Sequence, residues 1–86
     1  MSYRIRLSSH ALKRAKERSI ELKQIKEVLR NPTETIDVKF GRKASYRRYD
    51  DKFIVVIFEE QDDEIVVVTV LKVDEERLRR YGFSRV

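Results

Sequence analysis

Residues 53–73 read FIVVIFEEQDDEIVVVTVLKV, which is two apolar runs joined by a short acidic segment. Phe53–Phe58 and Ile65–Val73 are rich in valine and isoleucine, which favour strands, and Glu59–Glu64 between them predicts a turn. Because the connection is short, the two strands are expected to pair antiparallel. Neither run alternates with polar residues, so the pattern predicts that both faces of the sheet are covered.

The N-terminal part of the chain supplies one cover. Tyr3–Leu7 alternates apolar and basic residues and predicts a short edge strand. Ser8 or Ser9 can cap a first helix that runs to about Arg18. A second helix is predicted from the apolar face formed by Leu22, Ile25, Val28 and Leu29. It is expected to end before Pro32, because the residue before a proline is pushed out of the helical region. These two helices are predicted to pack on one face of the sheet.

Two weaker strands and a last helix complete the predicted fold. Thr35–Phe40 alternates weakly, Gly41-Arg42-Lys43 predicts a turn, and Ala44–Tyr49 follows as a strand. Asp74 is a good N-cap for a short helix that Gly82 would close. The expected class is α+β, with two N-terminal helices packed on a twisted antiparallel sheet in the order β-α-α-β-β-β-β-α. The C-terminal helix, a second copy or a partner chain must cover the other face, and we expect a partner or homodimer contact there.

Composition limits the classes of function. Residues 1–86 suit one small domain. The chain has no cysteine and a single histidine, so no disulfide, metal site or cofactor is predicted. No apolar run reaches the roughly 20 residues of a membrane span and no signal peptide is evident, so we expect a cytoplasmic protein without membrane contact. The net charge of +5 favours a partner that carries phosphate, or an acidic protein.

A row of basic residues follows the first helix. His10, Arg14 and Arg18 recur at four-residue steps and span about 80° of a helical wheel. The neighbouring arc, expected to face the sheet, is formed by Ala11, Leu12 and Ala15. The row is therefore predicted at the helix–sheet seam, where partial desolvation strengthens electrostatics. Arginine binds phosphate and histidine transfers protons near neutral pH. The row is thus a candidate site, although spacing alone favours a structural or solvated row.

Two further basic clusters lie later in the chain. The first comprises Arg42, Lys43, Arg47 and Arg48, interleaved with Tyr46 and Tyr49. Ser45, Arg47 and Tyr49 are expected on one strand face and Tyr46 and Arg48 on the other, where tyrosine could stack on a base. Ordinary cross-strand pairing is an equally good interpretation. The second cluster is Arg77, Arg79, Arg80 and Tyr81, which could also be a solvated helix end. Thr69 either lines a site or is a half-buried strand residue.

Several stretches resemble a known family. SSHALKRAKERSI, I-x-x-V-L-x-N-P, GRKASY and VVVTV together resemble the family catalogued as domain of unknown function 4258, over roughly Leu7 to Val73. Ser19 stands where that family usually has glycine before isoleucine, whereas Pro32 and Gly41 match. The opening YRIRLSSHALK and the ending DDEIVVVTVLKVDEERLRRYG are also similar to the RelE/ParE and BrnT class of small toxins.

This resemblance implies a RelE/barnase-like fold and, by analogy with the nuclease members, metal-independent RNA cleavage. The first-helix residues of that class match His10, Arg14 and Arg18, and its sheet residues match Tyr46, Arg48 and Thr69. Tyr81 matches a C-terminal tyrosine of RelE-like chains. The His-Arg pair with which such chains often end has no histidine here, so His10 would have to transfer the proton.

The leading expectation is therefore a toxin-like, metal-independent endoribonuclease, neutralised by a cognate antitoxin protein, that acts on RNA, including messenger RNA on the ribosome. The predicted catalytic set is His10, Arg14, Arg18, Tyr46 and Arg48. The predicted RNA-binding set is Arg42, Lys43, Arg47, Thr69, Arg77, Arg80 and Tyr81. The alternative is a non-catalytic protein, either a ParE-like inhibitor or a nucleic-acid-binding accessory module.

Overall fold

A computed structural model describes residues 4–85, so Tyr3, predicted to open the first strand, lies outside the described residues. The elements in chain order are β1 (Arg4–Leu7), α1 (Ser9–Glu17), α2 (Leu22–Arg30), β2 (Glu34–Val38), the 3-10 turn (Lys39–Gly41), β3 (Arg42–Tyr49), β4 (Lys52–Gln61), β5 (Glu64–Val73) and α3 (Glu75–Arg80). The predicted α+β class and the order β-α-α-β-β-β-β-α are both confirmed.

The strands form one sheet in the order β1-β5-β4-β3-β2. Strands β2 to β5 make the predicted antiparallel meander, since short turns connect them. Strand β1 instead pairs with β5 in parallel, with Leu7 beside Val67, so the sheet is mixed and not wholly antiparallel. No tight turn joins β1 to β5, because both N-terminal helices and three strands lie between them, and their relative direction is therefore set by packing.

The helices α1 and α2 cover one face of this sheet. Ala11 and Ala15 of α1 are buried against a cluster that contains Ile54, Val56, Val67 and Val70. Leu12, predicted to face the sheet as well, is 51% exposed. The prediction was wrong because residues four apart define the buried stripe, and Leu12 lies about 100° around the helix from Ala11.

The C-terminal helix covers the opposite face. Leu78 of α3 and Phe83 beyond it pack on a second cluster formed by Ala44, Tyr46, Val55 and Val73. The apolar strands allowed the C-terminal helix, a second copy or a partner chain to cover this face. In the structure, α3 covers it. A homodimer or partner contact on this face stays a prediction.

Caps and left-handed residues set the limits of the helices. Ser8 Oγ accepts a hydrogen bond from the Ala11 N–H at 3.0 Å and donates one to the Val68 carbonyl at 3.0 Å, which fixes α1 to β5. Ser19, between the first two helices, has a φ of 54°. Glycine adopts this conformation without steric cost, whereas serine is less suited to it. Gly82, with a φ of 99°, ends α3 as predicted.

The chain reversal before β3 differs from the predicted one. The turn is Lys39–Gly41 and not Gly41-Arg42-Lys43, and β2 ends at Val38 and not at Phe40. Phe40 and Gly41 have φ values of 66° and 69°, and two successive left-handed residues reverse the chain one step earlier than the glycine alone indicated. Arg42 and Lys43 consequently begin β3, with their side chains on opposite faces of the sheet.

Candidate functional site

The predicted catalytic residues lie on opposite faces of the sheet. His10 and Arg14 belong to α1 and Arg18 is its C-cap, and this helix packs on the face that contains Ile54 and Val56. Tyr46 and Arg48 pair with Val55 and Phe53, so their side chains point to the face that α3 covers. The sheet therefore separates the α1 row, which we define as His10, Arg14 and Arg18, from the strand residues that were expected to act with it.

The arginines of the α1 row bind groups within the protein. Arg14 Nη1 lies 2.6 Å from Glu17 Oε1, and Arg18 Nη1 lies 3.4 Å from the Val70 carbonyl oxygen. Both arginines are half-buried, as predicted for a seam, whereas His10 is exposed. The hydrogen bond from Arg14 lowers the pKa of Glu17, with the charges of Arg14, Lys13 and Arg18 acting in the same direction. The row thus offers an exposed imidazole beside two partly engaged guanidinium groups.

Tyr46 belongs to the core and is not a stacking surface. It is 2% exposed, and its ring meets Phe83 and Phe53 edge-on at centroid distances of 4.6 Å and 5.8 Å. Its hydroxyl donates to the Arg85 carbonyl at 3.4 Å, and burial raises its pKa. The prediction that Tyr46 stacks on a nucleobase is therefore wrong, because neighbouring aromatic side chains already pack around the ring.

Arg47 fastens α2 to the sheet instead of facing a ligand. Its Nη1 donates to the Asn31 carbonyl at 2.6 Å, and its Nε lies 4.0 Å from a carboxylate oxygen of Glu27. The Tyr49 hydroxyl on the same strand face donates to Glu27 as well. Burial, followed by this hydrogen bond, raises the pKa of Tyr49 to about 12. The side chains of Arg47 and Tyr49 therefore bind α2, which neither the nucleotide-binding nor the cross-strand interpretation predicted.

Arg48 and Lys43 of that cluster also bind within the protein. Arg48 Nε donates to the Asp50 carbonyl at 2.8 Å and so supports the turn between β3 and β4. Lys43 Nζ lies 2.7 Å from Glu60 Oε1. Lys43 lies on the face that α1 and α2 cover, since it pairs with Phe58, whereas Arg48 lies on the α3 face. Neither Lys43 nor Arg48 lines the concavity in which Arg42 and Arg80 lie.

The last basic cluster does converge with Arg42. A groove of about 500 Å³ opens between the 3-10 turn and the end of α3, and a smaller hollow of about 230 Å³ adjoins it. The groove is lined by Asp37, Val38, Lys39, Phe40, Arg42, Ile57, Arg80 and Tyr81. The hollow is lined by Arg77, Arg80 and Tyr81. We call these two connected concavities the basic groove.

Positive charge prevails in the basic groove. Its larger part is lined by the cations Lys39, Arg42 and Arg80 and by the single acidic residue Asp37. Arg42 Nε lies 2.9 Å from Glu59 Oε1, and this bond is the largest cause of the lowered pKa of Glu59. Arg80 has an equally long bond, 2.9 Å, to Glu76 Oε1 at an exposed site. The exposed Arg80–Glu76 pair contributes little to stability, whereas the Arg42–Glu59 pair is half-buried.

Thr69 lies next to the basic groove without lining it. It is half-buried and pairs with Ile57, whose side chain forms part of the floor. Four residues of the predicted RNA-binding set line the basic groove: Arg80 and Tyr81 line both of its parts, Arg42 the larger part and Arg77 the smaller part. Arg79, from the same helix, is not among the lining residues and bonds to Glu75 at 3.3 Å.

Sequence reasoning missed the exposed aromatic residue of the basic groove, Phe40, as well as the cation Lys39. Phe40 is 83% exposed and adopts a left-handed backbone conformation. The Arg42 guanidinium carbon lies 5.9 Å from the centroid of its ring, a distance typical of a cation–π contact. The signal was an aromatic residue directly before a glycine in a basic segment, but the weak alternation of Thr35–Phe40 assigned it to the end of a strand.

No helix within residues 4–85 is long and apolar enough to cross a membrane. Across the same residues, no group of three or more histidine, aspartate or glutamate side chains is placed to hold a metal ion.

A comparison with protein families matches most of the chain. The family model described as domain of unknown function (DUF4258) matches residues 7–72. Searches of curated proteins and of solved structures found no match. The matched part includes the α1 row, Phe40 and Arg42. It ends before Arg77, so the wall of the basic groove that α3 contributes lies beyond it.

Proposed function

The chain belongs to the family of domains of unknown function DUF4258, and from this premise we propose that it binds RNA in the basic groove. The observation that carries the proposal is the convergence of Arg42 with Arg80 and Tyr81, which are separated by more than half of β3, all of β4 and β5, and most of α3. A concave basic surface with aromatic rings is the arrangement by which proteins hold a phosphate backbone and its bases.

The chemistry of the side chains supports a polyanionic ligand. Guanidinium groups bind phosphate oxygens through two parallel hydrogen bonds, and several of them around one concavity concentrate the positive potential. The excess of five positive charges over the whole chain acts in the same direction. The likeness of the chain to the RelE class, whose nuclease members act on RNA, supports RNA over DNA.

Two neighbouring arginines give a matched test of this proposal. Arg80 and Arg79 both belong to α3, are both exposed, and both pair with a glutamate four residues earlier. Arg80→Gln and Arg79→Gln therefore remove similar ion pairs. Each should reduce the free energy of unfolding by about 0.3–0.5 kcal/mol. Only Arg80 lines the basic groove.

The measurement is fluorescence anisotropy of a labelled RNA oligonucleotide over a series of salt concentrations. We expect Arg80→Gln to weaken binding about five- to tenfold, because a charge-assisted hydrogen bond is lost, and to reduce the salt slope by about 1. Arg79→Gln should bind like the wild type. Equal losses in both variants would show that only net charge matters, and no RNA binding by the wild type would end the proposal.

A toxin-like, metal-independent endoribonuclease is a second candidate, and the α1 row is the observation that favours it. His10 is exposed and able to transfer a proton, and two arginines follow it along the same helix. In this candidate the basic groove would hold the RNA and a cognate antitoxin would block it. Cleavage that persists in EDTA and depends on His10 would support it.

A further inference from the structure

Phe40 occupies a position that the fold alone does not explain. A bulky residue with a φ of 66° is strained, and glycine would adopt the same backbone at lower energetic cost. Burial does not compensate for this strain, because the side chain is 83% exposed. Strained and exposed aromatic residues are retained mainly where a surface has to bind something.

The surroundings of the ring indicate what it binds. Phe40 and Tyr81 both line the basic groove, and Val38 and Ile57 add apolar lining. The volume of about 500 Å³ is within the range of small-ligand sites, about 300–1,000 Å³. Arg42 lies near the Phe40 ring and is held from the other side by Glu59. A flat, apolar group attached to an anion matches this combination.

We propose that Phe40 is the platform on which one unpaired nucleobase stacks, so that the basic groove takes single-stranded RNA and rejects a duplex. This inference rests on the proposed function, and it names the substrate class for the same site. In a duplex both faces of each base are already stacked on neighbours, so the ring gains no contact there. In a single strand a base can turn out of the chain onto Phe40 while its phosphate reaches Arg42 or Arg80.

The test compares a single-stranded oligonucleotide with a duplex of the same sequence, using anisotropy. We expect Phe40→Ala to weaken single-strand binding by about tenfold, within the range for loss of one stacked base, and to leave weak duplex binding unchanged. Leu12→Ala is the control, because Leu12 is an exposed apolar residue on α1, on the other side of the sheet. An equal affinity of Phe40→Ala and the wild type for the single strand would overturn the inference.

A fluorescent variant detects the stacking itself. The chain contains no tryptophan, so Phe40→Trp introduces one reporter at the platform and keeps an aromatic surface. We expect this variant to bind the single strand as tightly as the wild type and its fluorescence to be quenched on binding. Binding without quenching would place the base elsewhere and would contradict the platform.

The outcomes also separate this inference from the proposed function. If the wild type binds RNA and Arg80→Gln weakens it while Phe40→Ala does not, the basic groove binds RNA but Phe40 is no platform. If the wild type binds no RNA, both ideas fail together. If sedimentation shows a wild-type dimer that Phe40→Ala dissociates, the ring belongs to a protein contact, and the inference is wrong.

Stability measurements of Phe40→Gly exclude a purely structural role. Glycine suits the left-handed backbone, and little buried area is lost with an exposed ring, so Tm should stay level or rise by a few degrees, about 2–4 °C. The single-strand affinity should nevertheless fall as in Phe40→Ala. A Tm that falls by more than about 4 °C would show that the ring holds the turn together and would count against a binding role.

Discussion

The α1 row and the basic groove are both surfaces of arginine, and they differ in how the chain builds them. The row comes from one short helix segment, and its four-residue spacing is visible in the sequence. The basic groove joins a turn, one end of β3 and the end of α3. Ion pairing does not separate the two, since Arg14 and Arg42 both bind glutamate. The two surfaces differ in their concavity and in the exposed ring of Phe40, which belongs to the basic groove alone.

This difference teaches what spacing along a helix can establish. Residues four apart share a helix face, so spacing places side chains in a line along a convex surface. A ligand has to be contacted from more than one side, which requires segments distant in the chain. We therefore assign RNA binding to the basic groove and leave proton transfer as the candidate role of the α1 row.

The largest effect is expected from detaching α3, the helix that contributes to the basic groove and not to the α1 row. Leu78 is the fully buried residue of α3, and Leu78→Ala should reduce the free energy of unfolding by about 2–5 kcal/mol. Because α3 carries Arg77, Arg80 and Tyr81, RNA binding should be lost as well. Urea denaturation and anisotropy measure the two quantities. A loss below about 1 kcal/mol would mean that α3 is not anchored by this residue.

A matched leucine checks that this effect depends on burial. Leu12→Ala removes the same group from an exposed site on α1, so its effect on the free energy of unfolding should stay within about 0.5 kcal/mol. RNA affinity should also be unchanged, since Leu12 lies on the opposite side of the sheet from the basic groove. A comparable loss in both variants would remove the contrast between the two faces.

Most of the fold could be predicted because local patterns determine it. The apolar runs Phe53–Phe58 and Ile65–Val73 predicted adjacent antiparallel strands, and β4 and β5 pair in this way. The serine cap at Ser8 and the glycine stop at Gly82 acted as predicted. The parallel pairing of β1 with β5 was missed, because the four residues of β1 do not specify their direction relative to a strand that is distant in the chain.

The candidate site was predicted only as separate parts. The arginines at positions 42, 77 and 80 were named from composition, but nothing in their spacing showed that they meet. Tyr46 was predicted as a stacking residue because tyrosine interleaved with arginine is typical of RNA grooves, and Phe40 was assigned to the end of a strand. The strand register decided otherwise, since Tyr46 opposes Val55 under α3 while the turn leaves Phe40 outside. Which aromatic ring remains exposed depends on the tertiary structure.

A smaller effect is expected from the histidine of the α1 row. His10→Ala should change RNA affinity by less than about twofold, because His10 lies across the sheet from the basic groove, and stability by at most about 0.5 kcal/mol. If the endoribonuclease candidate is right, cleavage in EDTA should fall at least about 100-fold. Equal cleavage by both proteins, or none by either, would remove the catalytic role. A larger loss of affinity than in Arg80→Gln would make the α1 row the phosphate site.

The smallest expected effect concerns two carboxylates, one on α1 and one on β2. Glu17 lies on α1, and Glu34 of β2 accepts hydrogen bonds from the Ser84 N–H, the Ser84 hydroxyl and the Arg85 N–H at 2.8–3.0 Å. The pKa of Glu34 is lowered from its ordinary value of 4.5, first by the backbone N–H of Ser84. That of Glu17 is lowered mainly by the hydrogen bond from Arg14.

Because the folded-state pKa of each carboxyl lies below its unfolded value, each contributes stability above about pH 4.5 that is lost as the pH falls through the folded pKa. Glu34 joins segments about fifty residues apart, whereas Glu17 closes a contact within one helix. Thermal unfolding between pH 7 and pH 3 should therefore show a lower Tm for Glu34→Gln than for Glu17→Gln at pH 7. The two curves should meet the wild-type curve at low pH. Equal Tm values at pH 7 would show that the contacts of Glu34 with Ser84 and Arg85 stabilise the fold no more than the contact of Glu17 within one helix. Leu78 and Phe83 would then be the residues that hold α3 and the segment beyond it on the sheet.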